Sequence, residues 1–179
     1  PILDSARRLD AGPGCKTPPK ITNNVTIMAA TADDAHEIAV MVGELLNEIM
    51  DVIRLPSFHF DLRETADRLR DFLIRDKYFI FIALDECGKA AGFLSLYESY
   101  ALYAEGTFGT LPELYVRPPY RSKQLGARLV SHAKSFGTSM GWKRLEVTTP
   151  PLPEFDRTLA FYEREGFAIT GGRKLKVLL

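Results

Sequence analysis

From Glu113 to Leu129 an apolar run, a tight basic turn and the start of an amphipathic helix follow one another without a break, and this succession restricts the fold more than any other feature. Leu111 to Val116 reads as a strand, while Leu129, Ala133, Phe136 and Met140 recur at helical spacing up to a glycine cap at Gly141. The turn also builds an anion site, because the first N–H groups of a helix lack partners and carry partial positive charge. Gly126 and Ala127 leave room for the approach, and Arg121, Lys123 and Arg128 add positive field. Phosphate is the natural guest. The plain alternative is an ordinary strand-to-helix loop with surface basic residues.

The rest of the chain supplies layers around this unit. Val25 to Ala29 suggests a first strand, and Thr31 with Asp34 resembles a capping box before a helix whose apolar stripe is Ile38, Met41, Val42, Leu45, Leu46 and Ile49. After Pro56, Asp61 with Glu64 opens a second amphipathic helix through Leu62, Ala66, Leu69, Phe72 and Leu73. Tyr78 to Leu84 and Ala91 to Tyr97 read as a hairpin turning at Glu86, Gly88 and Lys89. Glu98 to Gly109, with Tyr100, Tyr103 and Phe108 among small and polar residues, reads as a mobile aromatic loop and a candidate substrate wall. Lys143 to Thr148 follows as a strand and Phe155 to Glu165 as a helix. Phe167 to Thr170 and Leu175 to Leu179 close the chain as a hairpin about Gly171-Gly172. Residues 1–24 hold four of the eleven prolines and little periodic apolar pattern, so they read as a weakly packing leader ahead of one domain over 25–179.

Composition excludes several function classes. The 23 basic and 23 acidic side chains cancel, which removes the sequence-wide attraction of a nucleic-acid or anionic-membrane binder. No apolar run approaches the roughly 20 residues of a membrane span. Cys15 and Cys87 lie far apart with no metal-ligand spacing, and the expectation is a reduced cytoplasmic protein without a metal. His36, His59 and His132 are scattered, and Trp142 reads as core. Arg173, Lys174 and Lys176 read as the solvated face of the last strand.

The run Tyr-Arg-Ser-Lys-Gln-Leu-Gly-Ala, Tyr120 to Ala127, resembles the pyrophosphate-binding signature of the GNAT acetyltransferases: Gln or Arg, two residues, Gly, one residue, Gly or Ala. Arg121 opens it and Gly126 closes it, with Gln124 in place of the first glycine, so the backbone of Gln124 must adopt a glycine's dihedrals or the turn must relax. Phe161 to Phe167, Phe-Tyr-Glu-Arg-Glu-Gly-Phe, is similar to the family's helix-ending segment. The asparagine that many members carry before the last helix is not evident around Pro153 to Asp156.

The resemblance implies a mixed, mostly antiparallel, twisted α/β sheet flanked by helices and splayed between the strands of Val116 and Val147. It implies acetyl-CoA as acyl donor, with the backbone of Tyr115, Val116 and Arg117 pairing with the pantetheine arm. Arg121, Ser122, Lys123, Gln124, Leu125, Gly126 and Ala127 would hold the pyrophosphate. Tyr162 would protonate the departing thiolate, and Glu113, with Glu98 as a weaker second, would anchor or deprotonate the amine. A backbone N–H near Val116 would meet the oxyanion. Direct attack by the amine follows because neither cysteine lies in a signature. Against these roles stand a core-edge Tyr162, a surface Glu113, and a non-catalytic acyl-CoA-binding or interaction module on the same scaffold. The acceptor, a small or peptide amine, and the choice between monomer and homodimer stay open.

Overall fold

Strand β2 (Phe79–Leu84) shows why the chain forms three layers. Its sequence, Phe-Ile-Phe-Ile-Ala-Leu, is apolar at every position, the pattern of a strand covered on both faces. In the computed structural model, which describes residues 24–56, 58–104 and 106–170 together with 175 and 177, both faces are covered. Ile80 and Ile82 pack with Ala35, Ile38 and Met41 of α1 (Ala35–Ile53) and Leu69 of α2 (Leu62–Ile74). Phe81 and Ala83 join Leu125, Leu129, Val130 and Ala133 of α3 (Leu125–Ser139), and Tyr162 of α4 (Asp156–Arg164). Both early helices start at their sequence signals. The Thr31 N–H and hydroxyl donate to the Asp34 carboxylate at 2.8 and 3.1 Å, through a 3-10 turn before α1. Asp61 accepts from the Glu64 N–H at 2.8 Å.

The sheet runs β1 (Thr26–Ala29), β2, β3 (Ala90–Ala101), β4 (Gly106–Leu111), β6 (Leu145–Val147), with β5 (Leu114–Val116) pairing β3 beside β4. Every pairing is antiparallel except β4 with β6. β6 meets β4 only over Gly109 to Leu111, and β5 continues along β3 alone, so the sheet opens between β5 and β6.

Three expectations change. Glu98 to Gly109 is not a loop: β3 extends to Ala101, turns through Leu102–Ala104, and returns as β4, with the Ser99 and Thr110 hydroxyls bonded at 2.7 Å across the pair. Gly109, the end of the expected loop, serves packing within β4, since a Cβ there would lie 2.3 Å from Trp142 Cε3. Leu111 to Val116 is not one strand, because Pro112 lacks an N–H and the ladder breaks at Pro112-Glu113. Finally, Phe167 to Thr170 forms no strand, and Leu175 and Val177 lie outside any strand. Gly171-Gly172 and most of the expected closing hairpin, like residues 1–23 of the expected leader, fall outside the described residues.

Candidate active site

The free edge of β5 is the starting point. Ser95 N–H bonds the Glu113 carbonyl at 3.0 Å and Arg117 N–H bonds the Ala91 carbonyl at 2.9 Å, on either side of the Phe93–Tyr115 pair. Backbone groups alternate in direction along an antiparallel strand, so Glu113, Tyr115 and Arg117 turn theirs to β3 while Leu114 and Val116 turn theirs to the opening. The Val116 carbonyl is already taken by Arg121 Nε at 2.7 Å. The N–H and C=O of Leu114 and the N–H of Val116 remain. Leu114 was missed in the sequence because its contribution is backbone direction, which no side chain announces.

The turn after β5 is built for an anion. Ser122 and Gln124 take φ of 59° and 60°, so Gln124 adopts the left-handed conformation of the glycine it replaces. The first α-helical bond of α3 runs from Arg128 N–H to the Gln124 carbonyl at 2.9 Å, which leaves the N–H groups of Leu125, Gly126 and Ala127 without helical partners. Alternating backbone around positive-φ residues and a helix N-terminus together form an anion-binding concavity. These residues line a groove of about 900 Å³ that passes through the sheet opening, with Leu114 and Val116 on one wall and Phe161 and Tyr162 on another. Gly126 keeps it narrow but open, since a Cβ there would already meet Phe161 at 3.4 Å.

Side chains distribute differently from the sequence expectation. Arg117 faces α1, with its guanidinium on Glu44 at 2.8 and 2.9 Å, Glu37 at 2.8 Å and the Ala90 carbonyl at 2.9 Å. Those bonds, the Glu44 pair foremost, raise its pKa. Arg121 forms a two-pronged pair with Glu48, 2.8 Å to each oxygen, and covers the Tyr115 ring, whose hydroxyl donates to the same carboxylate at 3.0 Å. Glu48 was not foreseen. Its signal was present, because Glu37, Glu44 and Glu48 share a flank of the α1 apolar stripe. Lys123 is not part of the groove wall, whereas Ser122, Gln124, Leu125, Gly126 and Ala127 are.

Tyr162 lines the groove, whereas Glu113 is not part of its wall. The Glu113 carboxylate turns to the α1/α2 face and accepts a hydrogen bond from Ser95. Burial raises its pKa and the Ser95 bond only partly offsets this. Tyr162 lies against Phe161 and Phe167 at ring distances of 5.2 and 5.4 Å, and burial pushes its pKa up. Its hydroxyl takes no hydrogen-bond partner among the described residues and the residue lines the groove. Glu98 is elsewhere, accepting from Trp142 Nε1 at 2.6 Å and from the Tyr100 hydroxyl. The groove thus presents free N–H donors at the start of α3 and outward-turned backbone groups along β5.

The family model described as "Acetyltransferase (GNAT) family" matches residues 46–167. An uncharacterized N-acetyltransferase of Bacillus subtilis, YhfO, is 31% identical over 80% of this chain and 89% of its own. The aminoalkylphosphonate N-acetyltransferase of Salmonella typhimurium is 26% identical over 96% and 97%. Among solved structures, an aminoglycoside acetyltransferase from an uncultured soil metagenomic sample superposes with a TM-score of 0.70 at 19% identity, covering 89% of this chain and 99% of that one. The break between β5 and β6, the left-handed turn ahead of α3 and the matched span agree: the chain belongs to the GNAT acetyltransferase family.

Proposed function

We propose that acetyl-CoA lies with its pyrophosphate on the free N–H groups of Leu125, Gly126 and Ala127 and its pantetheine arm along Leu114 and Val116, with the thioester at the opening between Glu113 and Tyr162. The observation that carries this reading is the unpaired edge of β5, which leads from the anion turn to the break at Pro112-Glu113. An exposed strand edge pairs with a ligand's amides as it would with another strand.

The bound donor supplies an activated acyl carbon and a thiol leaving group. The chain's own residues do the rest. Glu113 takes a proton from the acceptor's ammonium, directly or across a water, which frees the nitrogen lone pair for attack. An ordinary alkylammonium, with a pKa near 10, otherwise holds that proton at neutral pH. The Leu114 N–H meets the carbonyl oxygen as charge builds on it. As the carbon–sulfur bond breaks, the Tyr162 hydroxyl gives its proton to the sulfur; the second proton shed by the attacking nitrogen restores the Tyr162 hydroxyl through solvent, and Glu113 releases its own proton to solvent. The products are an amide and a free thiol. Desolvation suits both groups, strengthening Glu113 as a base and keeping Tyr162 protonated until the sulfur needs it. The acceptor is a small-molecule amine.

Tyr162→Phe tests the reading. The ring still packs, so fold and acetyl-CoA affinity should hold, while single-turnover rates fall by on the order of a hundredfold, the usual scale for one positioned acid. A loss below about threefold with chemistry rate-limiting would make Tyr162 a packing residue.

A further inference from the structure

On the α1/α2 face, beside Glu113, lies a group of side chains that the mechanism above does not use. The β2–β3 register, Phe79 opposite Leu96, places Tyr78 opposite Tyr97, and their rings stack at 5.7 Å with planes 17° apart. Phe72 of α2 closes on Tyr78 at 5.3 Å. The same register puts Ser95 opposite Ile80, two residues along β3 from Tyr97, and Ser95 holds the Glu113 carboxylate. Tyr78, Tyr97, Ser95 and Glu113 therefore share one face.

These two tyrosines behave unlike three others. Tyr100, Tyr115 and Tyr120 each donate a hydroxyl to a carboxylate, Glu98, Glu48 and Asp85. Tyr78 and Tyr97 stand near a carboxylate yet donate to nothing among the described residues. Burial, then the charge of Glu113, then Tyr97, push the Tyr78 pKa up, so this face already resists further negative charge. Tyr78, Tyr97 and Glu113 are mostly buried, with part of each side chain still exposed. Arg117 is committed to Glu37 and Glu44, and Arg121 to Glu48, while Arg157 and Arg164 line the groove from α4. A carboxylate beside two aromatic faces with unused hydroxyls complements an organic ammonium.

We propose that Tyr78 and Tyr97 form the acceptor subsite with Glu113 and select primary amines whose remainder carries no negative charge. This deepens the reading of Glu113 as the acceptor's base and rests on it. The ammonium meets Glu113, and the body of the acceptor lies on the Tyr97 ring. An anionic group next to the amine would face the Glu113 carboxylate in a desolvated setting, at a cost that neutral bodies avoid.

The test uses the full chain with acetyl-CoA and three amines: phenethylamine, phenylalanine, which adds only a carboxylate to the same body, and 2-aminoethylphosphonate. Binding to the CoA-saturated protein is followed by saturation-transfer NMR and turnover by thiol release. Phenethylamine should exceed both anionic amines by roughly tenfold or more in kcat/KM. Tyr97→Leu should raise its KM about fivefold or more at unchanged acetyl-CoA affinity, and Tyr97→Phe, which keeps the ring, should restore most of it. If Tyr97→Leu does not fold, the three-amine ratio decides. Parity or preference for either anionic amine, failure of all three to bind, or an unmoved KM in folded Tyr97→Leu overturns the proposal. Failure of acetyl-CoA itself to bind in calorimetry would instead sink the donor reading, whatever the amines do.

Discussion

Glu113 is a carboxylate whose surroundings oppose its charge, and this makes its role measurable. Its pKa in the folded chain is raised, chiefly by burial, while in the unfolded chain it is ordinary. Between the two values the folded protein holds a proton that the unfolded chain has lost. The stability linked to this group is therefore fully present at low pH and is lost as pH rises through the folded pKa. Glu113→Gln, uncharged and still able to bond Ser95, should melt above the native protein near pH 7, with the gap shrinking toward about pH 4. Thermal melts across pH decide it: a gap that widened toward low pH would mean that the fold favours the charged form. The same substitution should remove the acidic limb of the kcat/KM profile and leave acetyl-CoA affinity in place.

At the scale of elements, the turn before α3 and the ladder of β4 each depend on one small compromise. Gln124 holds a left-handed backbone, which costs an L-residue roughly 1–2 kcal/mol, whereas glycine there would cost about 0.5–1 kcal/mol in lost freedom of the unfolded chain. Gln124→Gly should thus be neutral to about 1 kcal/mol stabilising in denaturant melts and should keep acetyl-CoA binding. Gln124→Val, β-branched, should lower both stability and affinity. If glycine weakened binding by calorimetry, the glutamine side chain would be a ligand contact and not a placeholder. In β4, Gly109→Ala would drive a methyl into the Trp142 indole. A loss of about 1–3 kcal/mol is expected, the range for overpacking a tight core. A neutral result would show that Trp142 moves freely.

For the molecule as a whole, the two cores on either face of the sheet must stay in register, because the groove passes between them. Polar ties from α1 to β5 and the turn hold them: Arg117 with Glu37 and Glu44, and Arg121 with Glu48. Arg117 is 14% exposed, while Glu37 and Glu44 are 45% and 35% exposed, so water screens part of the attraction. Arg117→Met should cost about 1–3 kcal/mol, less than for a fully buried pair. A double-mutant cycle with Glu44→Gln should return a coupling of at least about 0.5 kcal/mol. A coupling near zero would leave the α1 layer held by its apolar stripe alone.

What the sequence by itself determined is what local chemistry encodes. The caps at Thr31 and Asp61, the unbroken apolar run of β2, the α3 stripe and the anion turn each follow from residues close together in the chain, where hydrogen-bonding reach and periodicity act. The family resemblance rests on two such local segments. Tertiary structure decided what depends on partners distant in sequence. β4 was read as loop because its glycine answers to Trp142, on a later segment, and its polar residues are satisfied only across the strand pair with β3. Whether Leu114 or Tyr115 faces the opening depends on the β3 register, since a shift of one residue exchanges the two edges. Arg121 reads in sequence as a cation of the phosphate turn and Arg117 as backbone beside the pantetheine arm, but α1 brings both of them carboxylates from some seventy to eighty residues away, and those pairings decide where their charge is spent.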